Sequence, residues 1–174
     1  HEDLSWWANC LGITGAPFDS FLSLRGLRTL DARMRIHQEN ADAVVSLLQR
    51  HVAVKKVYYP GLSSHPGHEI AVRQQTNFGS LVSFELCGDV SSVQSFLEEL
   101  PHFSLAESMG GVESLVAHPA TMTHAAMEAE ARRHAGIGDT LLRLSIGIED
   151  KDDLVNSLEQ ALDRCAKQAL VAVG

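Results

Sequence analysis

With 174 residues, 45% apolar, 21% charged and a net charge of -8, the chain has the composition of one globular domain with its own hydrophobic core. The acidic balance argues against a nucleic-acid backbone or an anionic membrane as main partner, since either favours clustered Lys and Arg; small molecules and proteins remain. Cys10, Cys87 and Cys165 lie far apart without CxxC spacing, and no apolar run approaches the length of a bilayer span, so free thiols in the cytoplasm are expected.

The chain opens at His1 and runs straight into a Trp-bearing segment, which predicts that further sequence precedes it. LSWWANCL, ended by Gly12, reads as a short helix, and ITGAP as a loop whose Pro17 suits the first turn of the next helix. From Phe18 to about His51 apolar residues recur every three or four positions, which predicts one long helix that Gly26 is able to bend. VKKVYY reads as a strand, PGLSSHPGH as a turn into a short helix near 69–75, and GSLVSFEL as a second strand. Asp89 caps the helix SSVQSFLEEL, Pro101 stops it, and HFSLA reads as a third strand. ESMGGVESLVAHPATMTH holds no period and reads as one long loop, followed by the brief helix MEAEARRHAG. The strand LLRLSIG then leads through Glu149 and Asp150 into the amphipathic helix DDLVNSLEQALDRCAKQAL. Strand, acidic cap and helix occur twice, over 80–100 and 141–170, which predicts an α/β two-layer fold with helices covering one face of a mostly antiparallel sheet.

Strand alternation puts Leu142, Leu144, Ile146 and Ile148 on one face and Arg143, Ser145 and Gly147 on the other. An arginine among small residues on a rigid strand can hold a carboxylate through two parallel hydrogen bonds; equally, it can be an ordinary arginine on a solvated face. Glu107, Ser108, Gly110 and Gly111 can offer hydroxyl and backbone donors to an anion, or simply form a turn after a strand. His118 and His124, near Ser114 and Thr123, lack the HExxH or GxSxG context of a metal or nucleophile site, so no metal is expected. Trp6, Trp7, Phe18 and Phe21 form either an apolar surface for another domain or subunit, or a part of this chain's core. Asp150, Asp152 and Asp153 suit a helix N-terminus without any metal.

Taken together, WWANCLGITGAPFDSFLSLRGLRTLDARM, YYPGLSSHPGHEIAVRQQTNFGSLVSFEL, LAESMGGVESLVAHPATMTHAAM and LLRLSIGIEDKDDLVNSLEQAL resemble the C-terminal part of the cystathionine gamma-synthases, within the Cys/Met-metabolism family of pyridoxal-phosphate enzymes. The likeness runs nearly end to end. It implies the small C-terminal domain of a fold-type I transferase over residues 1–174, with 1–17 as an interdomain arm. The larger domain with the Schiff-base lysine and the cofactor's phosphate-binding groups would lie outside this chain, which alone would be inactive. The resemblance further implies that Ser108, Thr123 and Arg143 grip the α-carboxylate of the substrate and that Glu107 faces its distal group. Glutamate at this position points to cystathionine chemistry at Cγ. The implied enzyme joins an O-acylhomoserine, with O-succinylhomoserine favoured, to cysteine in methionine biosynthesis, as a cytoplasmic homotetramer. Cystathionine gamma-lyase, or a non-catalytic association module, stands as the alternative. Cys10 and Met109 depart from the family's usual residues without touching the carboxylate grip.

Overall fold

A computed structural model of the protein describes residues 1–13 and 15–173. Its contacts divide the chain into two compact units, His1–Arg33 and Met34–Gly174.

In the first unit, helix α1 (Glu2–Leu11) ends where Gly12 turns left-handed at φ 66°, letting the Ile13 and Gly12 amides donate back to the Ala8 and Asn9 carbonyls. The expected loop after it includes Thr14, which lies outside the described residues. Helix α2 (Pro17–Leu27) starts on Pro17, whose missing amide hydrogen costs nothing in a first turn. The long helix expected from Phe18 to His51 is instead two, α2 and α3 (Leu30–Arg50). The reason is competition for one carbonyl: Gly26 O accepts from the Thr29 amide, the Thr29 hydroxyl at 3.3 Å and the Arg33 guanidinium at 2.7 Å. A continuous helix would give that oxygen to residue 30. No residue of α1 or α2 is buried, and Trp6, Trp7, Phe18 and Phe21 all stay more than half exposed. They therefore build no core within their own unit.

The second unit holds a five-stranded sheet of β1 (Val54–Tyr58), β2 (Leu81–Leu86), β3 (Ser104–Leu105), β4 (Leu115–Ala117) and β5 (Leu141–Ser145), in the order β1-β2-β5-β4-β3. All pairings are antiparallel except β3 with β4. The fold is α/β with a mostly antiparallel sheet, as expected. One strand was not expected: Leu115, Val116 and Ala117 form β4 inside the segment read as a loop. Three residues are too few to show a period of two, and flanking Ser114 and His118 are themselves buried, which hides the usual apolar contrast.

Leu142 and Leu144 of β5, Val82, Phe84 and Leu86 of β2 and Val116 of β4 face the helices. Against them pack Val44, Leu47 and Leu48 of α3, Val93 and Phe96 of α5 (Val90–Glu98), and Leu154, Leu158 and Leu162 of α7 (Lys151–Val173). Phe84 and Phe96 meet edge to face at 5.6 Å. Each fully buried Leu or Phe contributes about 2 kcal/mol by leaving water. Asp89 and Asp150 cap α5 and α7, accepting from the Ser91 amide and from the Asp152 and Asp153 amides. The short helices α4 (His68–Gln74) and α6 (Ala129–His134) close the connections before β2 and β5. No described helix is long and apolar enough to cross a membrane.

Edge strand β1 carries a titrating cluster. Glu85 accepts from Lys55 Nζ at 2.7 Å and from the Tyr58 hydroxyl, and these donors hold its carboxyl below the usual carboxylate range. The same bond to Glu85 pushes the Tyr58 phenol up to about 12. Tyr59, buried and donating to Gly79 O at 2.9 Å, is pushed up to about 12 chiefly by burial. Both shifts raise the folded-state value, so their contribution to stability is complete below pH ~10, the ordinary tyrosine value, and fades as pH climbs toward 12. These are the chain's only tyrosines. Difference absorbance titrations of Tyr58→Phe and Tyr59→Phe against the parent should each show a tyrosinate midpoint near 12 in the folded protein and near ~10 in urea. A folded-state midpoint near 10 for either would contradict the arrangement.

Candidate functional site

The face of the sheet opposite α3, α5 and α7 is where chemistry can be built. In register across it lie Tyr58, Ser83, Arg143 and Ala117, so the residues beside Arg143 on β2 and β4 are small. That leaves room for the side chain of Arg143, a half-buried residue whose guanidinium is held by hydrogen bonds at the surface. The ion pairs among the described residues are His51–Asp163, Lys55–Glu85, Arg132–Asp139 and Arg164–Glu99; Arg143 takes part in none. Instead its Nη2 donates to the Glu107 carbonyl at 3.0 Å and the Ser108 carbonyl at 3.3 Å. Neutral oxygens orient the side chain but leave its charge uncompensated, and Nη1 and Nε make no hydrogen bond among the described residues. An aimed, uncompensated guanidinium with donors to spare is chemically a receptor for an anion, and a carboxylate matches its fork.

Two of the residues singled out from the sequence, Glu107 and Ser108, are thus joined directly to the third, Arg143. They meet through their backbone carbonyls, while both residues remain exposed. Thr123 is not bonded to any of them. Its hydroxyl lies 2.8 Å from His124 Nδ1, on the exposed turns that follow β4. Those turns nevertheless start beside the arginine, because Ala117 is the register partner of Arg143. Buried His118 anchors them, with Nε2 3.0 Å from Asp139 O and Nδ1 2.8 Å from the Thr121 hydroxyl, while its carbonyl accepts from the Met122 amide. His118 is therefore a structural post, and among the described residues no group of three His, Cys, Asp or Glu side chains is placed to hold a metal.

The loop carrying Glu107 and Ser108 is held at three further points. Ser145 Oγ accepts from the Gly110 amide at 2.8 Å, Val112 O accepts from the Ile148 amide at 2.9 Å, and the Glu149 carboxylate accepts from both the Ser114 amide at 2.6 Å and the Ser114 hydroxyl at 2.8 Å. Ser114 Oγ in turn accepts from the Gly147 amide at 2.8 Å. From the other side, Asn40 Nδ2 donates to the Gly147 and Glu149 carbonyls, and His37 Nδ1 lies 2.6 Å from Ile146 O. Reading the sequence alone overlooked Ser114, Ser145, Gly147 and Glu149 as parts of this brace. The alternation that placed Ser145 and Gly147 beside Arg143 was the available signal, but nothing local reveals which loop they meet.

The lysines do not join this site. Lys55 is paired with Glu85, Lys56 lies 4.6 Å over the Tyr58 ring, and Lys151 and Lys167 are exposed on α7. The donors around Arg143 suit a carboxylate. A groove of about 540 Å³ along β1, lined by Lys55, Tyr58 and His65, lies at the sheet's outer edge, one strand beyond β2 and away from Arg143.

Comparison with known proteins bears on this arrangement. Residues 1–163 match the family model described as Cys/Met metabolism PLP-dependent enzyme. Cystathionine gamma-synthase of Escherichia coli (strain K12) is 58% identical over 157 residues, covering 90% of this chain and 41% of that protein. Cystathionine gamma-lyase of Dictyostelium discoideum is 51% identical, covering 95% and 43%. Among solved structures, cystathionine gamma synthase from Xanthomonas oryzae pv. oryzae, in complex with aminoacrylate and cysteine, superposes with a TM-score of 0.87 at 62% identity, over 96% of this chain and 43% of that one. The chain thus spans about two fifths of the length of these relatives.

Proposed function

Because this chain belongs to the Cys/Met metabolism PLP-dependent enzyme family, we propose that it is the C-terminal, substrate-binding part of a cystathionine gamma-synthase, which joins an O-acylhomoserine to cysteine by replacement at Cγ. The observation that carries the reading is the uncompensated Arg143 guanidinium, aimed by the Glu107 and Ser108 carbonyls. Identity to both gamma-synthases and gamma-lyases supports cystathionine chemistry, and the higher figure falls to a synthase.

In this reading the Arg143 guanidinium takes the two oxygens of the substrate α-carboxylate through a parallel pair of N–H donors, Nη2 with either Nε or Nη1, fixing the orientation of the amino-acid carbon as well as its charge. The hydroxyls of Ser108 and Thr123 donate to the same carboxylate from the loop and from the turns after β4. Glu107, exposed on the loop, faces the distal end of the substrate. Pyridoxal phosphate, when bound, supplies an electron sink for charge developing on the amino-acid carbons. The groups that hold it belong to the rest of the protein, so this chain binds and orients substrate and is inactive alone. Residues 1–17 form an interdomain arm, and the exposed Trp6, Trp7, Phe18 and Phe21 pack on other parts of a cytoplasmic homotetramer.

The test is to give the whole protein O-succinylhomoserine with cysteine and follow product. Cystathionine should accumulate. If the protein instead cleaves cystathionine briskly and makes none, it is a gamma-lyase; if it does neither, the enzymatic reading fails and a role in association replaces it.

A further inference from the structure

β5 carries two polar side chains in succession on the face turned away from α3, α5 and α7, Arg143 and, two residues on, Ser145. Arg143 is half-buried and reaches the Glu107 and Ser108 carbonyls, whereas Ser145 is only 1% exposed and its hydroxyl oxygen accepts from the Gly110 amide. One strand therefore grips both ends of a single turn, residues 107–110. Gly110 sits at φ 80° with open space around it, a conformation that no packing enforces. The hydrogen bond that its amide donates to Ser145 Oγ is what fixes the far end of the turn. Ser145 stands between Leu81 and Leu115 in register and is itself buried, so the hydroxyl has no solvent to turn to and is spent on that one amide.

We propose that Ser145 is a positioning residue for the substrate carboxylate: through the Gly110 amide it holds the 107–110 turn, and so fixes where the Ser108 hydroxyl and the Arg143 guanidinium stand. The role rests on the reading of Arg143 as the carboxylate receptor. It explains why a serine occupies a buried strand position whose neighbours in register are both leucines. Removing the hydroxyl leaves the turn attached through Val112 and Ser114, so the loop stays folded while its tip, residues 107–110, gains freedom. A tip that wanders by an ångström misaligns the two Arg143 acceptors and the Ser108 donor together, and misplacement on that scale weakens binding and orientation steeply.

The experiment compares Ser145→Ala, Ser145→Thr and Arg143→Lys in the whole protein carrying its cofactor. Steady-state kinetics with the O-acylhomoserine, thermal midpoints, and hydrogen–deuterium exchange of the peptide over 107–111 without substrate are measured. Ser145→Ala should raise KM about tenfold with kcat changed less than twofold, speed exchange in that peptide, and leave the thermal midpoint within a few degrees. Ser145→Thr, which keeps the hydroxyl, should restore both KM and exchange. If Ser145→Ala fails to fold, Ser145→Cys, whose thiol is a poor acceptor, should show the same rise in KM. Unchanged KM and exchange in Ser145→Ala overturn the proposal. So does a parallel fall of kcat and thermal midpoint that threonine does not restore, since that marks packing alone. Arg143→Lys separates the two readings: if its KM stays at the parent value, the carboxylate assignment itself fails, whatever Ser145 does to exchange.

Discussion

On the function proposed for Arg143, replacing it with lysine is expected to lower kcat/KM of the whole protein for an O-acylhomoserine by about 2 kcal/mol, on the order of thirtyfold. Lysine keeps the charge but loses the fork. One Nζ cannot both hold the Glu107 and Ser108 carbonyls and present two parallel donors to a carboxylate, so orientation suffers more than attraction. Arg143→Ala should cost more, about 4 kcal/mol, because the substrate carboxylate then enters without any cation. Neither change should alter stability by more than about 1 kcal/mol, since Arg143 is only half-buried and makes no ion pair in the described structure. Kinetics alongside urea unfolding checks both statements. Loss of activity with matching loss of stability would remove the argument for a receptor.

Gly147→Ala is expected to destabilise the fold by about 3 kcal/mol, roughly 8 °C in thermal midpoint for a chain of this size. The cause is space: a Cβ on Gly147 would fall on the Val112 carbonyl oxygen and the Glu149 carboxylate, and within 2.7 Å of the Glu113 carbonyl carbon. None of these can retreat cheaply. Val112 O is held by the Ile148 amide, and Glu149 is held by the Ser114 amide and hydroxyl. Making room breaks the brace under the 107–114 loop, so substrate affinity should fall with stability. Gly110→Ala is the contrast. Gly110 has nothing around its missing Cβ and owes its strain to φ alone, so about 1 kcal/mol is expected. Thermal unfolding of the two variants side by side decides it; equal shifts would mean that close approach at Gly147 is not what its glycine serves.

The contrast also shows how differently two glycines read. Both stand in the sequence as breaks in an apolar pattern, and no local rule says that one is needed for backbone angle and the other for contact with a loop 35 residues earlier. Helix α3, strands β1, β2 and β5, and the caps at Asp89 and Asp150 were legible because period, β-branched content and capping chemistry are properties of adjacent residues. So was the face of Arg143, since alternation along β5 is fixed by the pleat alone.

What the sequence by itself determined, then, is the α/β layering, the side of the sheet on which Arg143 stands, and, through likeness of whole segments, membership of the family. Tertiary structure decided the rest. It split the expected long helix at Arg28 and Thr29, because the Gly26 carbonyl could be taken by Thr29 and Arg33. It made a strand of Leu115–Ala117, because β3 and β5 flank that segment and satisfy its backbone. It brought Glu107 and Ser108 to Arg143 and gave Ser145 and Glu149 their partners, pairs that lie 35 or 36 residues apart. Periodicity and propensity act over a few residues. A hydrogen bond between distant loops exists only once the sheet has set their ends side by side, which is why the brace behind the site is visible in space and silent in the sequence.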